Sequence, residues 1–307
     1  MGATITISLL PPSNDSQEEY TAEQLLDDVF ELLNIYNQRF SANDANSELM
    51  QVNHAAGKHP VPVDPELFEL IQIGKKQSLI PASHLNIALG PLVQTWRIGF
   101  ADARIPNNTE VTHALSLTDP QLIELDPLSC TVFLAKEGMK LDLGCLAKGY
   151  IADKIADYLK SQHVMSALIN LGGNIKTIGN NALADRPWQI GIQDPRQPRG
   201  TNLAVLPICN QSVVTSGTYE RKLQVNGHTY HHILDRETGY PVETQLASIT
   251  IISDNSLDGE IWTTRLYGEK PRQLLARVEQ EKDIEALIVT TDNRVYYSSG
   301  ISPEFLA

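Results

Sequence analysis

Cysteine is scarce in this sequence of 307 residues, and the three cysteines that occur are widely spaced. An odd number of separated cysteines predicts neither a disulfide framework nor a cysteine metal site, and it fits a reducing compartment. Long hydrophobic runs are also missing, so no segment of the sequence is expected to span a membrane. Met1 leads directly into a strand pattern without a leader peptide, which predicts a cytoplasmic protein.

Positive charge is scarce as well, because 24 lysines and arginines face 37 aspartates and glutamates, for a formal net charge of −13. This balance argues against non-specific binding to nucleic acid. An anionic ligand would need a local source of positive potential, such as a metal ion or the N-terminus of a helix. A search for such a source is therefore the first step toward a function.

Repeats, low-complexity segments and linkers rich in proline or glycine are absent too, so no domain boundary stands out. The hydrophobic content of 42% and the charged content of 20% are ordinary for a globular protein. A chain of this length can bury a large core. We expect one compact α/β unit over residues 1–307, with a cleft between two lobes if the unit is divided.

Hydrophobic periodicity places most of the secondary structure. Alternation over residues 3–10 predicts a half-buried strand. Apolar stripes at helical spacing predict helices over residues 21–40 and 64–79, the first capped near Thr21. The pair Asn226-Gly227 predicts a β-hairpin. Strands are also predicted within residues 122–125, 130–134, 167–178, 188–192, 213–221, 246–252, 284–289 and 294–298, helices at residues 107–115 and 272–278, and a loop at residues 11–17.

The segment from residue 139 to residue 154 carries the strongest chemical pattern. It begins as a short apolar strand over residues 139–143, turns at Gly144 and continues as a helix with apolar residues at helical spacing. A strand, a glycine turn and a helix start expose backbone N–H groups and a positive dipole end to an anion. Lys148 in the first turn is explained if a phosphate lies close; otherwise it simply points to water.

Glycine turns elsewhere offer weaker signals. Gly172-Gly173 separates two predicted strands, and paired glycines permit positive φ and close approach of a ligand to the backbone. Hairpins use such pairs commonly, so the pair alone decides little. Ser216-Gly217 is predicted as a turn after a strand, and a hydroxyl on a glycine turn suits a phosphate.

Residues 142–153, with the sequence D-L-G-C-L-A-K-G-Y-I-A-D, resemble the signature of the ApbE-type flavin transferases, which are FAD:protein FMN transferases. The resemblance extends from the first residues to about residue 266. It implies an ApbE-like fold of mixed, largely antiparallel sheets with packed helices, in two lobes around a cleft for flavin and metal. Many relatives in this family are exported lipoproteins, so the alternative location is extracytoplasmic, for a chain trimmed of its leader.

The resemblance implies a Mg²⁺-dependent transfer of FMN from FAD to a threonine hydroxyl of an acceptor flavoprotein, with release of AMP. His232 falls in register with the family histidine and is the expected base, because an imidazole titrates near neutral pH. Lys148 is expected to add positive potential at the pyrophosphate. The residues that the resemblance implies for FAD binding are Met1, Glu48, Asn170, Gly172, Gly173, Ser216, Gly217, Asp235 and Thr238.

The implied metal site departs from the family pattern, in which an aspartate and a threonine are separated by three residues. No aspartate of this chain has that spacing from a threonine. Glu260 and Thr264 keep the spacing, whereas Asp258 keeps the residue type but has Thr263 one residue too far. We favour Glu260 with Thr264, with Asp258 close by and the Ala147 carbonyl implied by the family, since hard oxygens suit Mg²⁺.

Other departures keep two alternatives open. The family's aspartate and threonine in one loop are Asn86 and Ala88 here, a family glycine is Cys145, interpreted as packing, and a family proline is Arg236. One alternative is a Mg²⁺-dependent FAD pyrophosphatase that releases FMN and AMP, and the other is a non-enzymatic FAD-binding protein. The chain contains no segment like the family's acceptor threonine motif, so the acceptor is expected to be another protein.

Overall fold

The computed structural model describes residues 4–10 and 21–306 of the chain. The predicted contact of Met1 and the loop predicted at residues 11–17 lie outside these ranges. The helices are α1 (Ala22–Phe40), α2 (Glu48–His54), α3 (Pro65–Ser78), α4 (Gly90–Trp96), α5 (Asn108–Leu115), α6 (Ala147–Ser161), α7 (Ser256–Arg265) and α8 (Pro271–Val278). None of the helices in the described part of the chain has the length and apolar character needed to cross a bilayer.

Most strands lie where the sequence predicts them, whereas the strands at Val61–Pro62, Asn202–Ile208 and Glu304–Phe305 are not predicted. They are β1 (Ile5–Leu10), β2 (Val61–Pro62), β3 (Ile123–Asp126), β4 (Thr131–Leu134), β5 (Ser166–Leu171), β6 (Asn174–Ile178), β7 (Trp188–Gln193), β8 (Asn202–Ile208), β9 (Ser212–Gly217), β10 (Lys222–Val225), β11 (His228–His231), β12 (Leu246–Ser253), β13 (Ile284–Thr290), β14 (Val295–Tyr297) and β15 (Glu304–Phe305). The hairpin predicted at Asn226-Gly227 joins β10 to β11, and both turn residues have the positive φ that this turn requires.

A seven-stranded antiparallel sheet in the order β1-β5-β6-β9-β12-β13-β14 forms the centre of the fold. One face packs on the small sheet β15-β8-β7 through a cluster that includes Val213, Ile252 and Leu287. The other face is covered by α6 and α7, which contact β6 and β9. The predicted class, a mixed α/β fold with largely antiparallel sheets, is confirmed.

The helical layer is built from the apolar stripes seen in the sequence. In α1 the buried residues Leu25, Val29 and Leu33 recur at helical spacing and belong to the same core cluster as α3 and α6. Thr21 accepts a hydrogen bond from the backbone of Gln24 and closes a capping box, so the helix begins where the sequence predicts. This layer fixes α6 against the central sheet.

The strand predicted at residues 139–143 is wrong, because this segment lies outside every sheet of the described chain. Its partner is a side chain instead of a strand. Asn53 of α2 accepts a hydrogen bond from the Leu141 N–H (2.7 Å) and donates one to the Leu141 carbonyl (3.0 Å). The Asp142 N–H is bound to the Ile87 carbonyl. An amide side chain satisfies the backbone as a neighbouring strand would, so apolar character alone misled the prediction.

The turn predicted at Ser216-Gly217 is also different, since β9 continues through both residues. Ser216 pairs with Ile249 and Gly217 pairs with Ser248 of β12. A Cβ on Gly217 would lie 2.5 Å from the ring of Tyr219, so the glycine is required by local packing. The sequence shows the glycine but not this ring.

Candidate functional site

Helices α6 and α7 approach each other at a glycine. A Cβ added to Gly149 would lie 2.6 Å from the Ser256 carbonyl oxygen and 2.8 Å from Cγ of Glu260. Real Cβ atoms do not come so close to backbone, so only glycine permits this contact between the two helices. The first turn of α6 is thereby placed beside the middle of α7.

This contact brings Lys148 to Glu260. Nζ of Lys148 lies 2.7 Å from Oε1 of Glu260, and Nδ2 of Asn174 donates to the same oxygen at 2.9 Å. Asn174 is oriented by a hydrogen bond from Oγ of Ser256 to its Oδ1 (2.6 Å). Glu260 is only 3% exposed, and a carboxylate so buried requires these partners. Lys148 is therefore paired with a carboxylate and does not simply point to water.

The two acids considered for the metal site are separated by the geometry of α7. Glu260 and Thr264 are one turn apart and share a face of the helix, whereas Asp258 is two residues from Glu260 and lies on another face. Asp258 accepts a hydrogen bond from Nδ2 of Asn255 (3.2 Å) at the exposed start of the helix. The hydroxyl of Thr263 donates to the carbonyl of Glu260 within the helix. Among these acids, Glu260 is the one that meets Lys148.

His232 lies near the same lysine. Its Nδ1 is 3.3 Å from the Arg221 carbonyl oxygen. Burial lowers the pKa of His232 to about 4, the hydrogen bond to Arg221 opposes this, and the charges of Arg221 and Lys148 lower the pKa further. The ring is therefore neutral at pH 7, and with the proton assigned to Nδ1 the Nε2 atom carries the free lone pair.

The neighbouring histidine has a different environment. Nε2 of His231 is 2.9 Å from the Val242 carbonyl oxygen, and its Nδ1 accepts from the Ile233 N–H at 3.3 Å. Both ring nitrogens are thus occupied by the backbone. His232 has a described backbone contact at Nδ1, and its role as the base stays a prediction.

The turn before α6 contributes two further groups. Oδ1 of Asp142 accepts the Gly144 N–H at 2.8 Å, and burial raises the pKa of Asp142. Burial, followed by the charges of Asp142 and Glu260, raises the pKa of the Cys145 thiol. The thiol is therefore protonated and unreactive at neutral pH, in agreement with its interpretation as a packing residue. Asp142 is the only carboxylate within residues 139–143, and it is not among the site residues expected from the sequence.

The paired glycines lie at the edge of this cluster. Gly172 and Gly173 have φ of 67° and 95°, and the Gly173 N–H is bound to Oδ1 of Asn170 at 2.8 Å. Asn174, the first residue of β6, pairs with Val214 of β9. Ser216, two residues further along β9, therefore lies beyond the end of β6 and beside the glycine turn. Val214 faces α7, and Ser216, two residues on, shares that face. The turn and the Ser216 hydroxyl therefore lie on the α7 side of the sheet.

Two of the residues implied for FAD binding, Asp235 and Glu48, accept hydrogen bonds from backbone N–H groups. Oδ1 of Asp235 accepts the Thr238 N–H at 2.7 Å and closes the turn between them. Oε1 of Glu48 accepts the Asp64 N–H at 2.7 Å, and burial raises its pKa. In the described structure these contacts shape loops near the site, and direct contact with FAD stays a prediction.

A cavity of about 270 Å³ adjoins the turn before α6. The sequence does not reveal it, because its walls come from three separate stretches, residues 42–53, 90–100 and 140–142. Two cations, Arg97 and Lys140, line it in a chain of negative net charge. Its other lining residues are Ala42, Asn43, Ala45, Met50, Asn53, Gly90, Gln94, Phe100, Leu141 and Asp142. Asp142 connects this cavity to the cluster around Lys148.

No group of three or more histidines, cysteines or acids that could hold a metal occurs within residues 4–10 and 21–306. A cation at this site would therefore have one carboxylate, Glu260, together with neutral oxygens such as the Thr264 hydroxyl and the Ala147 carbonyl. Mg²⁺ bound beside substrate phosphates commonly has one or two protein carboxylates, so the donor set fits. In the described structure the ammonium of Lys148 supplies positive charge at Glu260.

A buried acid paired with a lysine from a helix start, near a neutral imidazole, is an arrangement typical of functional sites. The model of the ApbE family matches residues 1–288, and the chain belongs to the ApbE family. The resemblance stated from the motif is thereby confirmed.

Individual relatives agree with this assignment. A Klebsiella pneumoniae protein named FAD:protein FMN transferase is 46% identical over 277 residues, which are 90% of this chain and 85% of the relative. A Treponema pallidum protein of the same name is 36% identical over 90% of this chain and 80% of its own length. The crystal structure of an ApbE protein from Thermotoga maritima has a TM-score of 0.84 at 26% identity, covering 96% of this chain and 94% of that one. The flavin transferase ApbE from Vibrio cholerae has a TM-score of 0.82 at 25% identity, with 97% and 94% covered.

Proposed function

We propose that this protein transfers FMN from FAD to a threonine hydroxyl of an acceptor flavoprotein, releasing AMP, in a Mg²⁺-dependent reaction. Membership of the ApbE family and the names of the relatives support the reaction class. The observation that carries the proposal is the contact between Lys148 and the buried Glu260 next to a neutral His232. With a cation held at Glu260, this site would supply the positive charge that the pyrophosphate of a dinucleotide needs, because the acidic surface would otherwise repel it.

In the proposed reaction, the acceptor threonine oxygen forms a bond to the phosphorus on the flavin side of FAD. The bond from that phosphorus to the bridging oxygen breaks, and AMP leaves with the electron pair. The threonine proton goes to Nε2 of His232, which is unprotonated well below neutral pH because its pKa is about 4. Help from a positioned base of this kind is typically worth about 10²–10⁴-fold in rate.

Lys148 and the positive end of the α6 dipole would attract the pyrophosphate by charge. Glu260, Thr264 and the Ala147 carbonyl would hold Mg²⁺, with Asp258 as the alternative acid. When bound, Mg²⁺ would neutralise charge on the pyrophosphate oxygens and on the departing phosphate. Ser216 and the Gly172-Gly173 turn would border the phosphate path.

The test combines the purified protein with FAD, Mg²⁺ and an acceptor flavoprotein. We expect covalent flavin on the acceptor, resistant to denaturation, and one AMP released for each flavin attached. EDTA should abolish both products. Glu260→Gln should raise the Mg²⁺ concentration needed for half-maximal rate, and the matched variant Asp258→Asn should change it much less, since Asp258 contacts Asn255 at the exposed start of the helix.

The same assay separates the alternatives. AMP and free FMN formed from FAD in the absence of acceptor, at the rate seen with acceptor, would identify a pyrophosphatase in which water replaces threonine. Binding of FAD without any AMP, with or without acceptor, would identify a flavin-binding protein. Unchanged transfer after chelation would disprove the metal site.

A further inference from the structure

Helix α7, which carries Glu260 and Thr264, begins without a cap of its own. Its N-cap residue, Asn255, makes no side-chain capping bond. The first two N–H groups of the helix are instead bound by Asp153 of α6. Oδ1 of Asp153 accepts from the Ser256 N–H at 2.8 Å, and Oδ2 accepts from the Leu257 N–H at 2.9 Å. A carboxylate from a neighbouring helix thus does the work that a capping residue usually does within the chain.

Asp153 is itself held from the central sheet. Nζ of Lys176 in β6 lies 3.5 Å from Oδ1 of Asp153, and it also donates to the Asp254 carbonyl immediately before α7. The Lys176 side chain is 5% exposed, so this ammonium is held among its partners and not in water. The cap therefore ties together three elements: α6, β6 and the start of α7.

The consequence reaches the site one helical turn away. Ser256, whose N–H Asp153 binds, and Glu260 are four residues apart on α7 and share a face. Asn174 contacts both of them, through the Ser256 hydroxyl and through the Glu260 carboxylate. On α6, Asp153 and Lys148 are five residues apart, with Gly149 at the closest approach of the helices. The position of α7 along α6 therefore decides whether Glu260 reaches Lys148.

We propose that Asp153 is a positioning residue for the site, because its bidentate cap sets the register of α7 against α6 and so brings Glu260 to Lys148. Asp153 acts through Glu260 and Lys148 and need not touch FAD. The inference rests on the proposed function only where turnover is the readout, because the Lys148–Glu260 contact can be followed without substrate.

The experiment removes the cap and then restores it from within the helix. Asp153→Ala removes both acceptor oxygens, and Asp153→Asn, which keeps one acceptor oxygen, serves if the alanine variant folds poorly. In a second protein, Asp153→Ala is combined with Asn255→Ser, because serine at the N-cap can bond the first turn of α7 in place of Asp153. Asp157→Ala is the matched control, since Asp157 is an exposed acid one turn further along α6.

Three measurements are made on each protein: Tm, the rate of Lys148 acylation by a lysine reagent relative to Lys160 in the same digest, and kcat with KM for FAD in the transfer assay. With Asp153→Ala we expect a lower Tm, faster labelling of Lys148 and a kcat reduced by about 10-fold to 100-fold, the usual range for partners of metal ligands. Adding Asn255→Ser should raise Tm again, while Lys148 labelling and kcat should stay at the altered values. Asp157→Ala should resemble the unmodified protein in all three.

Recovery of Lys148 protection and of kcat together with Tm in the double variant would show that Asp153 is a helix cap and nothing more, and the proposal would be wrong. Unchanged Lys148 labelling in Asp153→Ala and Asp153→Asn would also overturn it. If the unmodified protein transfers no FMN, the proposed function is wrong. The labelling of Lys148 still tests whether Asp153 sets the position of α7 against α6.

Discussion

Two acids at this site, Glu260 and Asp153, each lie beside a lysine. Glu260 is buried with a lysine and an amide donating to one oxygen, and Asp153 is half-buried with two backbone N–H groups and a lysine. Removing one partner of such a pair leaves an uncompensated charge, which costs far more than the intact pair contributes. Substitutions at these positions therefore need isosteric variants if activity is to be read apart from folding.

His232 offers the sharpest prediction at the scale of a residue. His232→Gln keeps the size and a hydrogen-bonding group but removes the proton acceptor, so the transfer rate should fall by about 10²–10⁴-fold while FAD affinity changes little. Stopped-time assays of covalent flavin, with FAD binding followed by fluorescence, measure both quantities. The control is His228→Gln, because His228 is an exposed histidine on the same hairpin. Normal transfer by His232→Gln would rule out His232 as the base.

Two departures from the family pattern have structural explanations. Asn86 donates from Nδ2 to the Thr118 carbonyl at 2.8 Å and accepts the Ala88 N–H at 2.9 Å, so it holds its own loop. Arg236 donates to the carbonyls at the end of α3 and the loop that follows it. Both side chains are committed to backbone groups, and the departures do not weaken the cluster around Lys148.

At the scale of elements, the entry to α6 is positioned by an extended segment, residues 139–143, that does not pair with any strand of the described chain. Residues 139–143 connect the cavity lined by Arg97 and Lys140 to the turn before α6. Asn53 on α2 supplies both hydrogen bonds to Leu141, so a helix side chain positions the entry to α6. The Asn53 amide is thus part of the support of the site although it lies on a distant stretch of sequence.

Substitution of Asn53 tests this support. Asn53→Leu fills the same space but leaves the N–H and carbonyl of Leu141 without a partner, which should lower the free energy of unfolding by about 2–4 kcal/mol. Urea denaturation measures the change, with Asn46→Ala at an exposed position as the control. A loss below about 0.5 kcal/mol would mean that water or another group replaces the amide.

At the scale of the whole molecule, an excess of acids surrounds a small region of positive potential. The formal net charge is −13, yet Lys148, Lys140, Arg97 and Arg221 surround the turn before α6. Such an arrangement draws an anionic dinucleotide to one place and repels it elsewhere. Salt should therefore weaken FAD binding at this region more than it changes the stability of the fold.

The low pKa of His232 predicts a pH dependence of stability. The folded protein holds this ring neutral down to about pH 4, whereas the unfolded chain protonates it at its ordinary pKa of 6.5. The unfolded state thus binds more protons between these values, and the stability present above pH 6.5 is lost as pH falls through about 4. The raised pKa values of Asp142 and Asp153 change stability in the opposite direction as pH falls. Protonation removes the charge of each carboxylate and with it the cost of burying that charge.

Comparison of the unmodified protein with His232→Gln isolates this effect, because both proteins contain the same acids. The difference in unfolding free energy should be constant above pH 6.5 and should move in favour of the glutamine variant from pH 6.5 to about 4. Urea denaturation at half-unit pH steps measures it. A difference that does not change with pH would show that the His232 pKa is ordinary in the folded protein.

The sequence by itself determined what depends on neighbouring residues. Helix α1, helix α3 and the hairpin at Asn226-Gly227 follow from local periodicity and turn chemistry, and motif resemblance singled out Lys148 and His232. Each of these features depends on a few consecutive residues. In the helices, the spacing of the apolar residues decides which face is buried.

Only the tertiary structure decided which distant residues meet. Glu260 lies 112 positions from Lys148, and Asn53 lies 88 positions from Leu141. The choice of Glu260 over Asp258 at Lys148, the contact of Asn174 and the cap from Asp153 all depend on how α6, α7 and β6 pack at Gly149. Such contacts are set by the summed packing of the core, which no single stretch of sequence encodes, because each partner looks locally like an ordinary surface residue.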